Sequence, residues 1–331
     1  MAQSNWLHSR PTRRDLLAAI PAVMAFPAGA AEIPNPPVVT RRMNNVMIAV
    51  SDLDRSVAFY QKLFGTPVRQ GAVMIFRVGT GPHFFGLTQV ATGSKPDFLS
   101  YGMTVENFDA AKLKAALSGL GVNDVQIADR DGTAELFLRD PNGVRVQLQH
   151  TAYGHGAGTL GDALPTAPRA AAKPAFQLRT INHVTLSSTQ GEKSLQFYRS
   201  IFGLTVASRQ GSTVTLKIGA GPDSVAFNTA VNTGGTGSIN HVCFTIAGFD
   251  PARVMGVLID NGLEPIEVGN PALIKPLTCR VRFRQRAANG GGPTSPLGTP
   301  ELYFTDPDNI AIQLQDVSYC GGSGWLGQIC T

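Results

Sequence analysis

Two histidines in the second half of this chain, His183 and His241, stand in short alternating segments whose counterparts in the first half carry Asn45 and Ser100. Neutral imidazoles from two strands are a common way to hold a divalent cation. Tyr303 adds a hydroxyl where the first half has Phe137, and Gln313 adds an amide oxygen that recurs in the first half as Gln147. The pattern points to a scaffold present twice, with one working half and one structural half.

The correspondence between halves rests on two repeated stretches. SVAFYQKLFGTPV from Ser56 recurs as SLQFYRSIFGLTV from Ser194, and DPNGVRVQLQ from Asp140 recurs as DPDNIAIQLQ from Asp306. Within the second copy, Thr180 to Ser187 alternates, with Val184 and Leu186 on one side and His183 and Thr185 on the other, which predicts a half-buried strand. Leu195, Tyr198 and Phe202 then form the apolar stripe of a helix that Gly203 stops. Three short strands follow, near Thr205 to Ser208, Thr213 to Ile218 and Ser224 to Asn228, separated by glycine-rich turns. The unit is βαβββ. A second unit starts at Ser238, with a strand from Asn240 to Ile246, a helix from Pro251 to Asn261, and strands over Glu301 to Thr305 and Ile310 to Gln315. The first copy reads the same way from Asn44 and from Leu99, with helices near Ser56 to Leu63 and Asp109 to Leu120.

Residues two apart on a strand share a face. In four strands of the second copy the apolar residues fall at even numbers, as Val184 and Leu186, Val242 and Phe244, Leu302 and Phe304, Ile312 and Leu314. The odd positions, including His183, His241, Tyr303 and Gln313, then share the opposite face. Cys243 lies on that face as well and reads as a small buried thiol. His83, His150 and His155 have no convergent partners in this pattern.

Paired units with FYxxxFG after the first helix and DPDN or DPNG before the last strand resemble the vicinal oxygen chelate superfamily, from about Met43 to about Asp316. That family includes glyoxalase-like lyases, extradiol dioxygenases and bleomycin-resistance-type binding proteins. The resemblance implies an α+β fold of four βαβββ units paired into two open, cup-shaped domains, with a divalent metal on the concave face of one. It specifies the fold well and the reaction poorly.

Family metal sites usually take two histidines and a glutamate, from the first strand of each unit and from the last strand. Carried over, the ligands are His183, His241 and, in the glutamate's place, Gln313. The amide can bind a hard or borderline cation but removes one negative charge. The resemblance implies one divalent metal, Fe(II) or Mn(II), with Zn or Ni also compatible. Glu301 shares the face of Tyr303 and could replace the missing carboxylate, but Glu135 holds that place in the other copy, so Glu301 reads as structural. Tyr303 matches the tyrosine of extradiol enzymes that hydrogen-bonds substrate near the metal. Asp223 aligns with the histidine those enzymes use for proton transfer and is a catalytic candidate. The implied activity is a dioxygenase acting on a small molecule with paired oxygens. A glyoxalase-like lyase or isomerase, and a non-catalytic small-molecule-binding protein, are the other expectations.

The segment from His241 to Asp306 is much longer than its counterpart from Ser100 to Asp140, and it carries Arg280, Arg282, Arg284 and Arg286 before a glycine run. It reads either as a basic wall at the cup mouth that attracts carboxylate or phenolate substrates, or as a solvated edge strand whose charges deter aggregation.

Thr12, Arg13, Arg14, Asp15, Leu16 and Leu17 open a short apolar run that ends at Ala28, Gly29 and Ala30. Paired arginines in that setting resemble a twin-arginine export signal over residues 1–30, which implies a periplasmic protein. The run is too short, and too interrupted by Pro21 and Pro27, to predict a membrane span. The expected divisions are 1–30 signal, 43–153 first domain, 154–178 linker, 179–319 second domain and 320–331 tail. In that tail Cys320 and Cys330 flank a glycine-rich loop and read as a pair, worth ~2–3 kcal/mol if bonded. The net charge of +5 falls to +3 without residues 1–30, which hold three basic residues and one acidic one. That is too weak and too scattered for nucleic acid.

Overall fold

In the first half of the chain, β1 (Thr40–Val50), α1 (Leu53–Phe64), β2 (Val68–Gln70), β3 (Val73–Arg77) and β4 (Phe84–Gln89) make one βαβββ unit. A second follows in β5 (Asp97–Val105), α2 (Ala110–Gly119), β6 (Gln126–Arg130), β7 (Thr133–Arg139) and β8 (Arg145–His150). The second copy begins with β9 (Leu178–Ser187), α3 (Gly191–Phe202), β10 (Thr205–Gln210), β11 (Thr213–Lys217) and β12 (Ser224–Asn228). It ends with β13 (Ser238–Ile246), α4 (Pro251–Asp260), β14 (Glu264–Pro265), β15 (Thr278–Arg284), β16 (Thr299–Thr305) and β17 (Ala311–Asp316). This computed structural model describes residues 35–122, 124–166, 173–267, 275–284, 298–321 and 325–327. Arg13, Arg14, Arg286 and Cys330 lie outside the described residues.

Local chemistry starts and stops the helices. Asp52, Asp109 and Asp250 each accept a backbone N–H three residues on, capping α1, α2 and α4. Gly203 ends α3 in the left-handed region, and a Cβ there would strike Pro36. No helix among the described residues is long and apolar enough to cross a membrane.

Each copy is one curled sheet. The orders are β2-β3-β4-β1-β5-β8-β7-β6 and β10-β11-β12-β9-β13-β17-β16-β15-β14. In both, the first strands of the two units pair antiparallel at the centre, as β1 with β5 and β9 with β13. Each sheet is a cup with an apolar outer face and a polar inner one, as expected from the alternation.

The outer faces share one core. Phe64 of α1 packs edge-on against Phe244 of β13 and lies near Phe304 of β16. Tyr60 Oη donates to Asp306 Oδ2 at 3.1 Å, and Tyr198 Oη donates to Asp140 Oδ2 at 2.8 Å. The tyrosine of each FY motif therefore reaches the aspartate of the other copy's DP turn. Burial pushes both carboxyls up to about 6, against the opposing pull of their hydrogen bonds. The stretch after Gly154, expected to open the linker, folds back on the first sheet, where Gly156 and Gly158 carbonyls accept from Arg130 and Thr133. The chain crosses between copies near Ala175 and Phe176, whose N–H groups bond to Lys62 and Leu63.

Candidate metal centre

His183 on β9 and His241 on β13 come together inside the second cup, with ring centroids 5.5 Å apart and planes at 78°. Local irregularity aims them. The β9–β13 register slips between Ile239 and His241 and again between Cys243 and Phe244, leaving Asn240 and Asn182 as extra residues of β-bulges. Freed from the ladder, each asparagine turns its oxygen onto the next ring: Asn182 Oδ1 to His183 Nδ1 and Asn240 Oδ1 to His241 Nδ1, both at 2.8 Å. Asn182 Nδ2 donates to the Tyr319 carbonyl at 2.6 Å, so its oxygen is the acceptor and His183 carries its proton on Nδ1. Burial pushes His183 down to about 3, aided by His241, and His241 down to about 4, opposed by Glu301. Both rings are neutral at ordinary pH with bare Nε2 atoms, the form a metal ligand needs.

Gln313 on β17 faces both rings. Its Oε1 and Nε2 are buried and make no hydrogen bond, and neither does His241 Nε2. Three orphaned polar atoms in one place are costly unless something fills the gap between them. Two imidazole nitrogens and an amide oxygen fit a borderline divalent cation. Among the described residues, no group of three or more His, Cys, Asp and Glu side chains is placed to hold one. Gln313 is therefore the third donor available in a set of this kind. Cys243, also on the inner face, is fully buried, and burial pushes its thiol well up.

Glu301 sits beside this set and is not an open carboxylate. Arg284 Nε lies 2.6 Å from Oε1, Tyr303 Oη donates to Oε2 at 3.0 Å, and Tyr319 Oη donates to Oε1 at 3.3 Å. The first copy repeats the arrangement, with Arg130 Nε on Glu135 at 2.9 Å and Tyr153 Oη on the same carboxylate at 2.5 Å. A network found in both copies belongs to the scaffold.

Tyr303 stands edge-on to His241, 5.2 Å between centroids. Burial, then Glu301, raises its phenol far above the ordinary range, so it remains a proton donor. Asp223 is placed elsewhere. Its carboxylate takes Arg42 Nε at 2.7 Å and Met43 N–H at 2.9 Å, both from the first copy, so it ties the two copies together and is not an acid–base group in the cup. Alignment along the strand does not fix the direction of a side chain, and here that direction is toward the first copy.

Among the described residues, the remaining wall of the cup is mostly uncharged and polar, with Arg284 its one cation. His183, Thr185, Gln210, Thr213, Thr215, Ser224, Arg284, Tyr319 and Gly321 line an open pocket of about 40 Å³. Gly321 is held in place by Ser208 and Gln210, which both donate to its carbonyl.

In the first cup the centre is filled. Asn45 Nδ2 donates to Asn44 Oδ1 at 2.9 Å and to Gln147 Oε1 at 3.1 Å. Gly102, at the place of Cys243, admits that amide, since a Cβ there would collide with it. His155, without partners in the sequence pattern, lies in this cup with Nδ1 2.8 Å from Tyr153 Oη.

Asn182, Asn240, Arg284 and Tyr319 were missed as site residues. A signal for the asparagines existed, because the tetrapeptide INHV occurs twice, from Ile181 and from Ile239.

Two duplicated cups, one of them with two histidines and an amide facing one another, define the class of fold. The sequence model of the Glyoxalase/Bleomycin resistance protein/Dioxygenase superfamily matches residues 42–148 and 180–253, and the chain belongs to that superfamily. Among solved structures, a catechol 2,3-dioxygenase is similar at 14% identity and TM-score 0.57, over 84% of this chain and 88% of that one. The Mn(II)-bound glyoxalase from Novosphingobium aromaticivorans is similar at 15% identity and TM-score 0.58, over 84% and 82%. An extradiol ring-cleaving dioxygenase from B. fuscum is similar at 16% identity and TM-score 0.58, over 88% and 76%. At these identities the likeness is one of fold.

Proposed function

We propose that this chain is an exported, single-metal enzyme that acts on a small molecule with paired oxygens, most like an extradiol-type dioxygenase. The observation that carries the reading is the unpartnered set of His241 Nε2 and the Gln313 amide beside the neutral His183. One divalent ion, manganese(II) or iron(II), is held by His183, His241 and Gln313. When bound, it supplies Lewis-acid polarisation and a template for the substrate's two oxygens.

The chain's own groups do the rest. Asn182 and Asn240 fix the ring tautomers. Tyr303 donates to Glu301 and keeps its oxygen lone pairs for a substrate hydroxyl. Tyr319 and Gly321 complete the lining of the cup. Export through the twin-arginine route to the periplasm is proposed from residues 12–17 and the apolar run behind them.

A lyase or isomerase is the second reading, favoured by the position of Asp223. With that carboxylate bound to Arg42, the cup lacks the acid–base group aligned with the dioxygenase position. Metal analysis of protein purified without chelator tests the first claim. Less than a tenth of an equivalent after anaerobic iron or manganese reconstitution would defeat both readings. Oxygen uptake with catecholic substrates separates the two, since the lyase consumes none.

A further inference from the structure

We propose that Arg282 is the recognition residue for a carboxylate on the substrate, so that this cup takes small carboxylated molecules and not their neutral analogues. The proposal rests on the reading of the cup as a substrate site and names the class of substrate.

Strand β15 brings three guanidinium groups to one side of the sheet. Arg280, Arg282 and Arg284 alternate along it, and its pairing with β16 sets Arg280 opposite Tyr303 and Arg282 opposite Glu301. Their side is the one that carries Glu301 and Tyr303, and β16 in turn sets Tyr303 opposite Gln313. The basic segment is therefore a wall of the cup. β14 pairs beyond it only at Thr278 and Cys279, so the stretch from Arg280 to Arg284 is both a wall of the cup and the rim of the sheet.

The three arginines have different duties. Arg284 holds Glu301, as Arg130 holds Glu135 in the first cup, which marks it as scaffold. Arg280 is buried over the Tyr303 ring, 5.7 Å from its centroid. Arg282 is half-buried and forms no hydrogen bond or ion pair among the described residues. The positions of Arg280 and Arg282 are Gln126 and Ala128 in the first cup, by the same pairing register. Both charges thus stand in the copy that has the histidines and are absent at the matching positions of the other. Among the described residues Glu301 is the carboxylate paired with this strand, through Arg284, and the polar wall opposite is made of uncharged Thr, Ser and Gln side chains. A cation at His183 and His241 would add to the positive charge there. The missing negative charge must arrive with the substrate, and a guanidinium fork pairs with a carboxylate through two parallel hydrogen bonds.

The test is anaerobic titration calorimetry of the full chain with 3,4-dihydroxybenzoate and with catechol, both metal-free and loaded with Mn(II). Wild type is expected to bind the carboxylated ligand about tenfold more tightly, in line with one charge-assisted pair. Arg282→Gln should reduce that preference to below about twofold, with catechol affinity unchanged, whereas the exposed control Arg209→Gln should keep it. Equal affinities in wild type, or a preference that survives Arg282→Gln, overturn the proposal. Should the variant unfold, wild type alone decides: the preference must fall between about 50 and about 500 mM salt, because screening weakens a half-exposed pair, and a salt-independent preference counts against Arg282. Metal content is measured separately. A protein that binds no metal defeats the proposed function, while the metal-free titration still decides for or against the carboxylate site.

Discussion

The two cups are built alike and filled differently. Both have a bulge asparagine that holds the tail tyrosine's carbonyl, Asn44 on Tyr153 and Asn182 on Tyr319. Both have a buried Arg–Glu–Tyr network and a glutamine on the last strand. In the first cup Asn45 Nδ2 bonds to Asn44 and Gln147 directly and bridges the centre, with Asn45 Oδ1 the atom left without a partner. In the second, His183 and His241 have their Nδ1 atoms satisfied from behind, and His241 and Gln313 are left with nothing in front. The difference teaches that one scaffold accommodates two centres: the same walls surround amides that bridge in one cup and two imidazoles and an amide that do not bridge in the other.

The largest expected effect is on the second of these centres. His183→Ala or His241→Ala should weaken Mn(II) binding by at least about a hundredfold in chelator competition, while Asn45→Ala changes nothing. Equal effects from both cups would erase the contrast. Asn182→Ala removes the tautomer lock and the tail anchor together, and a loss of about tenfold to a hundredfold in metal affinity is expected from the same competition. Restoring a negative charge with Gln313→Glu should tighten binding about tenfold, whereas Gln147→Glu should bring no metal to the first cup; elemental analysis of both variants checks this.

Asp223→Asn sharpens the comparison from outside the cup. It breaks the tie to Arg42 and Met43, so unfolding should become easier by about 1–3 kcal/mol in urea titration, with metal content unchanged. A loss of metal without a loss of stability would return Asp223 to the site.

The smallest effect is the pH dependence of the metal-free protein, because two contributions oppose. The buried histidines have folded pKa values of about 3 and about 4, below the unfolded value of 6.5, so their stabilisation is present above pH 6.5 and lost as pH falls. Asp140 and Asp306, at about 6 when folded, do the reverse: stability returns as pH falls from 6 toward 3.8. His155, also buried and pushed down to about 3, adds to the histidine side, so wild type should be less stable at pH 5 than at pH 7. Replacing the histidines with the residues of the first cup, His183→Asn with His241→Ser, should turn that loss into a gain, read by urea titration at each pH.

Much of this was legible in the chain. Repeated FY and DP motifs and period-two alternation placed the four units, because an apolar outer face and a polar inner one are demands that each strand meets locally. Parity alone set His183, His241, Tyr303 and Gln313 on one surface. It could not find Asn182 and Asn240, since a bulge breaks the alternation that parity assumes. It also missed the crosswise Tyr60–Asp306 and Tyr198–Asp140 bonds, which join segments far apart in the chain.

By itself, then, the sequence determined the duplicated fold and which copy carries the candidate donors, because periodicity and side-chain type are local properties. Only the tertiary structure decided which polar groups are answered. It bound Asp223 to Arg42, bound Glu301 to Arg284, and left His241 and Gln313 unpartnered, because hydrogen-bond satisfaction depends on what the rest of the chain brings within 3 Å or so of each buried atom.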